Sequence, residues 1–124
     1  MRTAVAIAIA GALGALARYG LDGFVSRRMR GAFPWGTFVV NVSGAFVLGL
    51  VFTLATERWG LPAWLRSAIT IGLLGAYTTF STLMFETYRL TEDRATGLAF
   101  ANIAGSCVAG LAAVYLGIVL GRAL

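Results

Sequence analysis

The sequence predicts an all-α membrane protein with four transmembrane helices, the third of them broken near mid-membrane. Three observations predict this. The chain of 124 residues is 59% hydrophobic and only 12% charged, whereas a soluble domain carries about 25% charged residues. Its mean hydropathy is +0.83. Its apolar residues gather in four long runs, at 3–21, 36–56, 67–85 and 96–121. A helix rises about 1.5 Å per residue and must cross about 30 Å of hydrocarbon, so about 20 residues are needed. The length allows one compact unit, read as a single domain over residues 1–124 in the lipid bilayer.

The elements follow in order. The first run is interrupted only by Arg18. With Arg2, its apolar stretch and the small residues Ala15 and Ala17, it has the layout of a signal peptide. It is read as a span, because losing it would leave an unusual set of three. The second, third and fourth runs carry no charge. The connections are short and polar, with Arg27, Arg28, Arg30 and Pro34 in the first, Arg58 and Pro62 in the second, and Arg89, Glu92, Asp93 and Arg94 in the third. Trp35, Trp59 and Trp64 flank the spans, where an amphipathic ring suits the headgroup layer.

The composition excludes several chemistries. There is no His, so no His base, Ser–His relay or His-ligated metal is available. One Cys permits neither an intrachain disulfide nor a Cys-cluster metal site. No nucleophile–base pair stands out, and the chain is read as no enzyme. The net charge of +5 comes from scattered Arg residues rather than one basic face, which argues against nucleic acid as a partner.

Orientation normally follows the side richer in Lys and Arg. Four spans place Arg2, Arg58, Arg66 and Arg122 on one side and Arg27, Arg28, Arg30, Arg89 and Arg94 on the other, with Arg18 near the latter. A bias this small fits either one weakly chosen orientation or insertion both ways round. The second case gives a dual-topology, antiparallel homodimer. In the fourth run, Gly97, Ala101, Gly105, Ala109, Ala113, Gly117 and Gly121 recur every four residues. Such a stripe lets helix backbones approach closely. It serves a packing face within one subunit or between two.

Several polar residues lie where lipid would not tolerate them. Asn41 is mid-way along the second span and must face protein or water, as interhelical glue or as a donor in a pathway. Asn102 and Ser106 share a face of the fourth. In the third, Gly72 and Gly75 precede Thr78, Thr79, Ser81 and Thr82, and both Gly and Thr weaken a helix. The cluster predicts a break, which is tolerated at membrane depth only against protein or a wet cavity. The alternative is a continuous helix whose hydroxyls bond its own carbonyls. Arg18 either snorkels outward or lines an aqueous mouth.

The segments 11–19 (GALGALARY), 36–44 (GTFVVNVSG) and 75–82 (GAYTTFST) resemble the Fluc fluoride channels, also called CrcB proteins. The resemblance spans the chain in size, helix number, charge balance and motifs. It implies passive fluoride efflux across the inner membrane of the cell through an antiparallel dual-topology homodimer with two pathways. It implies that Asn41 and Phe80 lie beside fluoride, that Ser81 and Thr82 supply hydroxyls, that Ser106 lies on a polar track and that Arg18 lies at a vestibule. It also implies a structural sodium ion, not transported, held at the dimer centre by backbone carbonyls of Gly75 and Thr78. Glu86 aligns with a family carboxylate near one pore end.

One position departs from the pattern. The family usually has a second Phe three residues after the first, and here Leu83 stands there. Phe85 points about 200° away on a helix and is no simple substitute. The chemistry otherwise agrees, since amide, hydroxyl and aromatic-edge groups can replace fluoride's water without a fixed charge that would hold it too tightly. A small multidrug-type, proton-coupled exporter is the main alternative. It would want a carboxylate deep in the first helix, where none is found.

Overall fold

The computed structural model describes residues 1–124, and every regular element in it is helical. Helix α1 spans Arg2–Arg28. Helix α2 spans Trp35–Arg58, its last five residues (Leu54–Arg58) widening into π-helical turns. The third span is divided into α3, residues 63–77, and α4, Phe80–Glu92. Helix α5 spans Thr96–Ala123. Four segments, Arg2–Arg28, Trp35–Arg58, Ala63–Glu92 and Thr96–Ala123, are long and apolar enough to cross a membrane. The chain is a multi-pass membrane protein.

The helices outrun the apolar stretches that announce them. Helix α1 continues seven residues past Leu21 to Arg28, because polar residues do not break a helix once it leaves the hydrocarbon. Arg27 and Arg28 occupy its last turn, where cations complement the negative end of the helix dipole. The turns between spans are correspondingly tight. Gly31 has φ +122° and Gly60 has φ +56°, values open to glycine at little cost. Pro34 and Pro62 stand at the N-terminal boundaries of α2 and α3, where a missing N–H costs nothing.

Glycine sets the two tightest helix contacts. A Cβ on Gly14 of α1 would strike the Leu73 carbonyl of α3, and one on Gly72 would sit 2.7 Å from the Ile7 carbonyl. This contact lies in the π-helical part of α3, Ala68–Leu74. Helices α2 and α5 meet the same way. A Cβ on Gly49 would strike the Val114 carbonyl, and one on Gly117 would strike the Phe46 carbonyl. Gly121 is pressed against Thr53. The C-terminal half of the small-residue stripe is therefore used inside the subunit, while Gly97 has nothing near it. At the membrane boundary the same pair of helices is tied by Arg58 Nη2 donating to the Arg122 carbonyl at 2.7 Å and by an Arg122–Glu57 ion pair at 3.4 Å.

Candidate functional site

The site begins where the third span stops being a helix. Thr78 (φ −84°, ψ 157°) and Thr79 (φ −149°, ψ 117°) are extended. Two β-branched residues in succession suit that conformation. Thr79 then caps α4, its Oγ1 accepting from Thr82 N–H at 3.3 Å and donating to Thr82 Oγ1 at 3.0 Å.

Asn41 of α2 pairs with the break. Its Nδ2 donates to the Thr79 carbonyl at 2.9 Å, and its Oδ1 accepts the Thr79 N–H at 2.7 Å. The side-chain amide thus stands in for a missing peptide neighbour and satisfies both backbone groups of Thr79. One of the two Nδ2 hydrogens is used in this pairing, so one donor remains. Gly44, one turn further along α2, makes the approach possible, because a Cβ there would strike the Thr78 methyl.

Two cavities meet at Thr79. A cleft of about 580 Å³ on one face of the subunit is lined by Asn41, Gly75, Thr78, Thr79, Phe80 and Ser106, among others. A smaller pocket of about 240 Å³ on the other side is lined by Arg18, Asp22, Thr37, Thr79 and Thr82. The structure therefore gathers Asn41, Phe80 and Ser106 on one side of the break and Arg18 and Thr82 on the other. Phe80 is 73% exposed and stands at the cleft with its ring uncovered by its own subunit. Ser81 is exposed and lines neither cavity. Gly75 and Thr78 both border the cleft. Leu83 also lines it, and is otherwise buried within the subunit.

Further polar groups extend from these cavities. Thr37 Oγ1 donates to Glu86 Oε1 at 2.8 Å, and Glu86 Oε2 is buried without a partner. Asn102 is fully buried and donates to Thr87 Oγ1 at 2.9 Å, leaving its Oδ1 unpaired. Ser106 Oγ, one turn along α5, is also buried and unpaired. Buried polar atoms without partners are uncommon in folded chains. Here Glu86, Asn102 and Ser106 each leave one.

The family model described as CrcB-like protein, Camphor Resistance (CrcB), matches residues 5–118. The chain belongs to the CrcB family. Relatives named "Fluoride-specific ion channel FluC" include one from Geobacter sp. (strain M21), 49% identical over 124 residues and covering all of both chains. One from Citrifermentans bemidjiense is 48% identical over the same full length. One from Magnetococcus marinus is 44% identical over 116 residues, 94% of each chain.

In this CrcB chain no sequence motif gives Thr79 a role of its own, although it is the residue on which the break turns. The available signal was its position just before an amphipathic segment, with a hydroxyl able to cap the N–H three residues on. The Thr37–Glu86 and Asn102–Thr87 pairs join residues 49 and 15 positions apart, and no local pattern announces them.

Proposed function

We propose that this chain forms a fluoride-selective channel that lets fluoride leave the cytoplasm passively across the inner membrane. One observation carries the reading: a helix break at membrane depth collects amide, hydroxyl and aromatic-edge groups around two cavities without placing a full charge at their junction. Full-length relatives bearing the fluoride-channel name support it. A small, strongly hydrated anion needs donors to replace its water but must not be held too tightly to leave. Asn41, through its remaining N–H, and Ser106 and Thr82, through their hydroxyls, are such donors. The edge of Phe80 presents the positive part of its ring quadrupole. Arg18 in the smaller pocket attracts the anion to the mouth. Ser81 joins this set if a second subunit encloses its exposed side.

The working unit is an antiparallel homodimer inserted in both orientations. The balanced Arg distribution supports this. So does the open cleft, which sets Asn41, Thr78, Thr79 and Ser106 in a mostly apolar lining; those polar groups would be costly against lipid. A second copy is the natural cover.

A structural sodium ion at the dimer centre fits the backbone at the break. Thr79 N–H and Thr82 N–H, the regular helical donors to the Gly75 and Thr78 carbonyls, are both donated to side-chain oxygens instead. Gly75 and Thr78 carbonyls from both subunits would hold the ion, which would supply a fixed positive charge and tie the two breaks together. Hard cations take oxygen ligands of this kind.

Liposomes holding only this protein test the function. Fluoride should leave rapidly and chloride should not. Chloride efflux at a comparable rate, or no fluoride efflux, overturns the reading. Reporter fusions at the C-terminus should reveal cytoplasmic and external populations, and a single orientation in cells would sink the dual-topology claim.

A further inference from the structure

We infer that Asn41 and Thr79 are positioning residues for the cation site, and that they act by drawing away the two N–H groups that would otherwise close on its carbonyl ligands. This rests on the sodium reading proposed above. An unbroken α-helix would send Thr79 N–H to the Gly75 carbonyl and Thr82 N–H to the Thr78 carbonyl. Neither bond is made. Asn41 Oδ1 takes the first N–H at 2.7 Å, and Thr79 Oγ1 takes the second at 3.3 Å. Each capture removes a helical donor from the carbonyl of a residue that lines the cleft, Gly75 or Thr78. The Thr79 carbonyl does not compete for the cation, because Asn41 Nδ2 donates to it at 2.9 Å.

The arrangement selects which carbonyls are offered. Of the carbonyls at the break, the captures bear on three, those of Gly75, Thr78 and Thr79. One is occupied by the Asn41 amide, and the other two have lost their helical donors. Asn41 therefore serves both sites at once. One amide hydrogen and the Oδ1 fix the backbone toward the cation, and the second amide hydrogen is left for an anion.

The test is thermal unfolding of the purified full-length protein in detergent, titrated with sodium chloride against choline chloride at constant ionic strength. Thr79→Val keeps the shape of the side chain and returns Thr82 N–H to the Thr78 carbonyl. Asn41→Ala releases Thr79 N–H toward Gly75. Each should raise the half-saturating sodium concentration about tenfold, equivalent to about 1.4 kcal/mol and on the scale of one hydrogen bond. Thr79→Ser, which keeps the capping oxygen, should restore the parent's sodium response. A merely structural role would lower the melting temperature equally in sodium and choline.

Unchanged half-saturation in Thr79→Val and Asn41→Ala overturns the inference while leaving the cation reading intact. A parent protein without any sodium response removes the cation reading and this inference with it. Amide hydrogen exchange on the unaltered protein provides an arm that no folding defect can spoil. Thr79 and Thr82 N–H should exchange slowly with or without sodium, because their acceptors are side chains, and rapid exchange at Thr79 in either condition would refute its capture.

Discussion

The α2–α5 seam and the break in the third span both lie against α2, yet they solve opposite problems. The seam excludes everything but backbone. Gly49, Gly117 and Gly121 leave no room even for a methyl group, and the helices are held by dispersion over close-packed surfaces. The break keeps space open. Its residues are larger and polar, and the cleft beside it remains lined by Asn41, Thr78 and Ser106. Rigidity and permeability are assigned to separate helix pairs. The seam can be stiff because it carries no ion path, and the break can give up helical bonds because the seam holds the subunit together.

Substitutions at the seam should have the largest effect. Gly117→Leu should abolish a monodisperse folded protein in size-exclusion chromatography, since its Cβ alone would meet the Phe46 carbonyl. Gly97→Leu, with open space around it, should elute like the parent. If both behave alike, the seam is not the rigid element described here.

At the break the expected loss is in conduction rather than folding. Phe80→Leu should slow fluoride efflux about tenfold, because an aromatic contact is worth about 0.5–1.5 kcal/mol and 1.36 kcal/mol is tenfold in rate. Leu83→Phe should harm efflux less. Leu83 is buried inside the subunit, so its enlargement should appear first as lost thermal stability, of roughly 1–3 kcal/mol for an overpacked site. Liposome efflux and melting curves on both variants separate the two effects, and parent-like efflux in Phe80→Leu would take the ring out of the ion path.

Asn102 sharpens the boundary between the regions. It belongs to α5 but turns away from the glycine seam toward Thr87 of α4. Asn102→Ala should destabilise by about 1–3 kcal/mol, because Thr87 Oγ1 loses its buried donor. A melting temperature unchanged within error would mean that water replaces the amide. The smallest effect belongs to the surface tie. Glu57→Gln should shift stability by no more than about 1 kcal/mol, since its ion pair with Arg122 is exposed and screened. A larger shift would make the membrane boundary part of the seam.

The two regions were unequally legible in the sequence. The four spans follow from hydropathy, because the bilayer imposes length and apolarity on every helix that crosses it. The presence of a break follows from Gly75 and the Thr residues after it. Its location does not, because Thr78 and Thr79 are held extended by Asn41 from another helix, 38 residues away. Ser81 sits in the same motif as Phe80 and Thr82, but helical rotation turns its hydroxyl away from both cavities of the single subunit. The π-helical turns at Leu54–Arg58 and Ala68–Leu74 carry no compositional signature. The second of them lies where α1 approaches α3 closely at Gly14 and Gly72.

The Asn41–Thr79 pairing also bears on how the chain enters the bilayer. No water is available in hydrocarbon to satisfy an open peptide group. A third span inserted alone would therefore close its ladder and cross as an uninterrupted helix. The amide that allows it to open belongs to α2, which is synthesised earlier. The interruption therefore depends on one span docking on another, and chain order delivers the partner before the group that needs it.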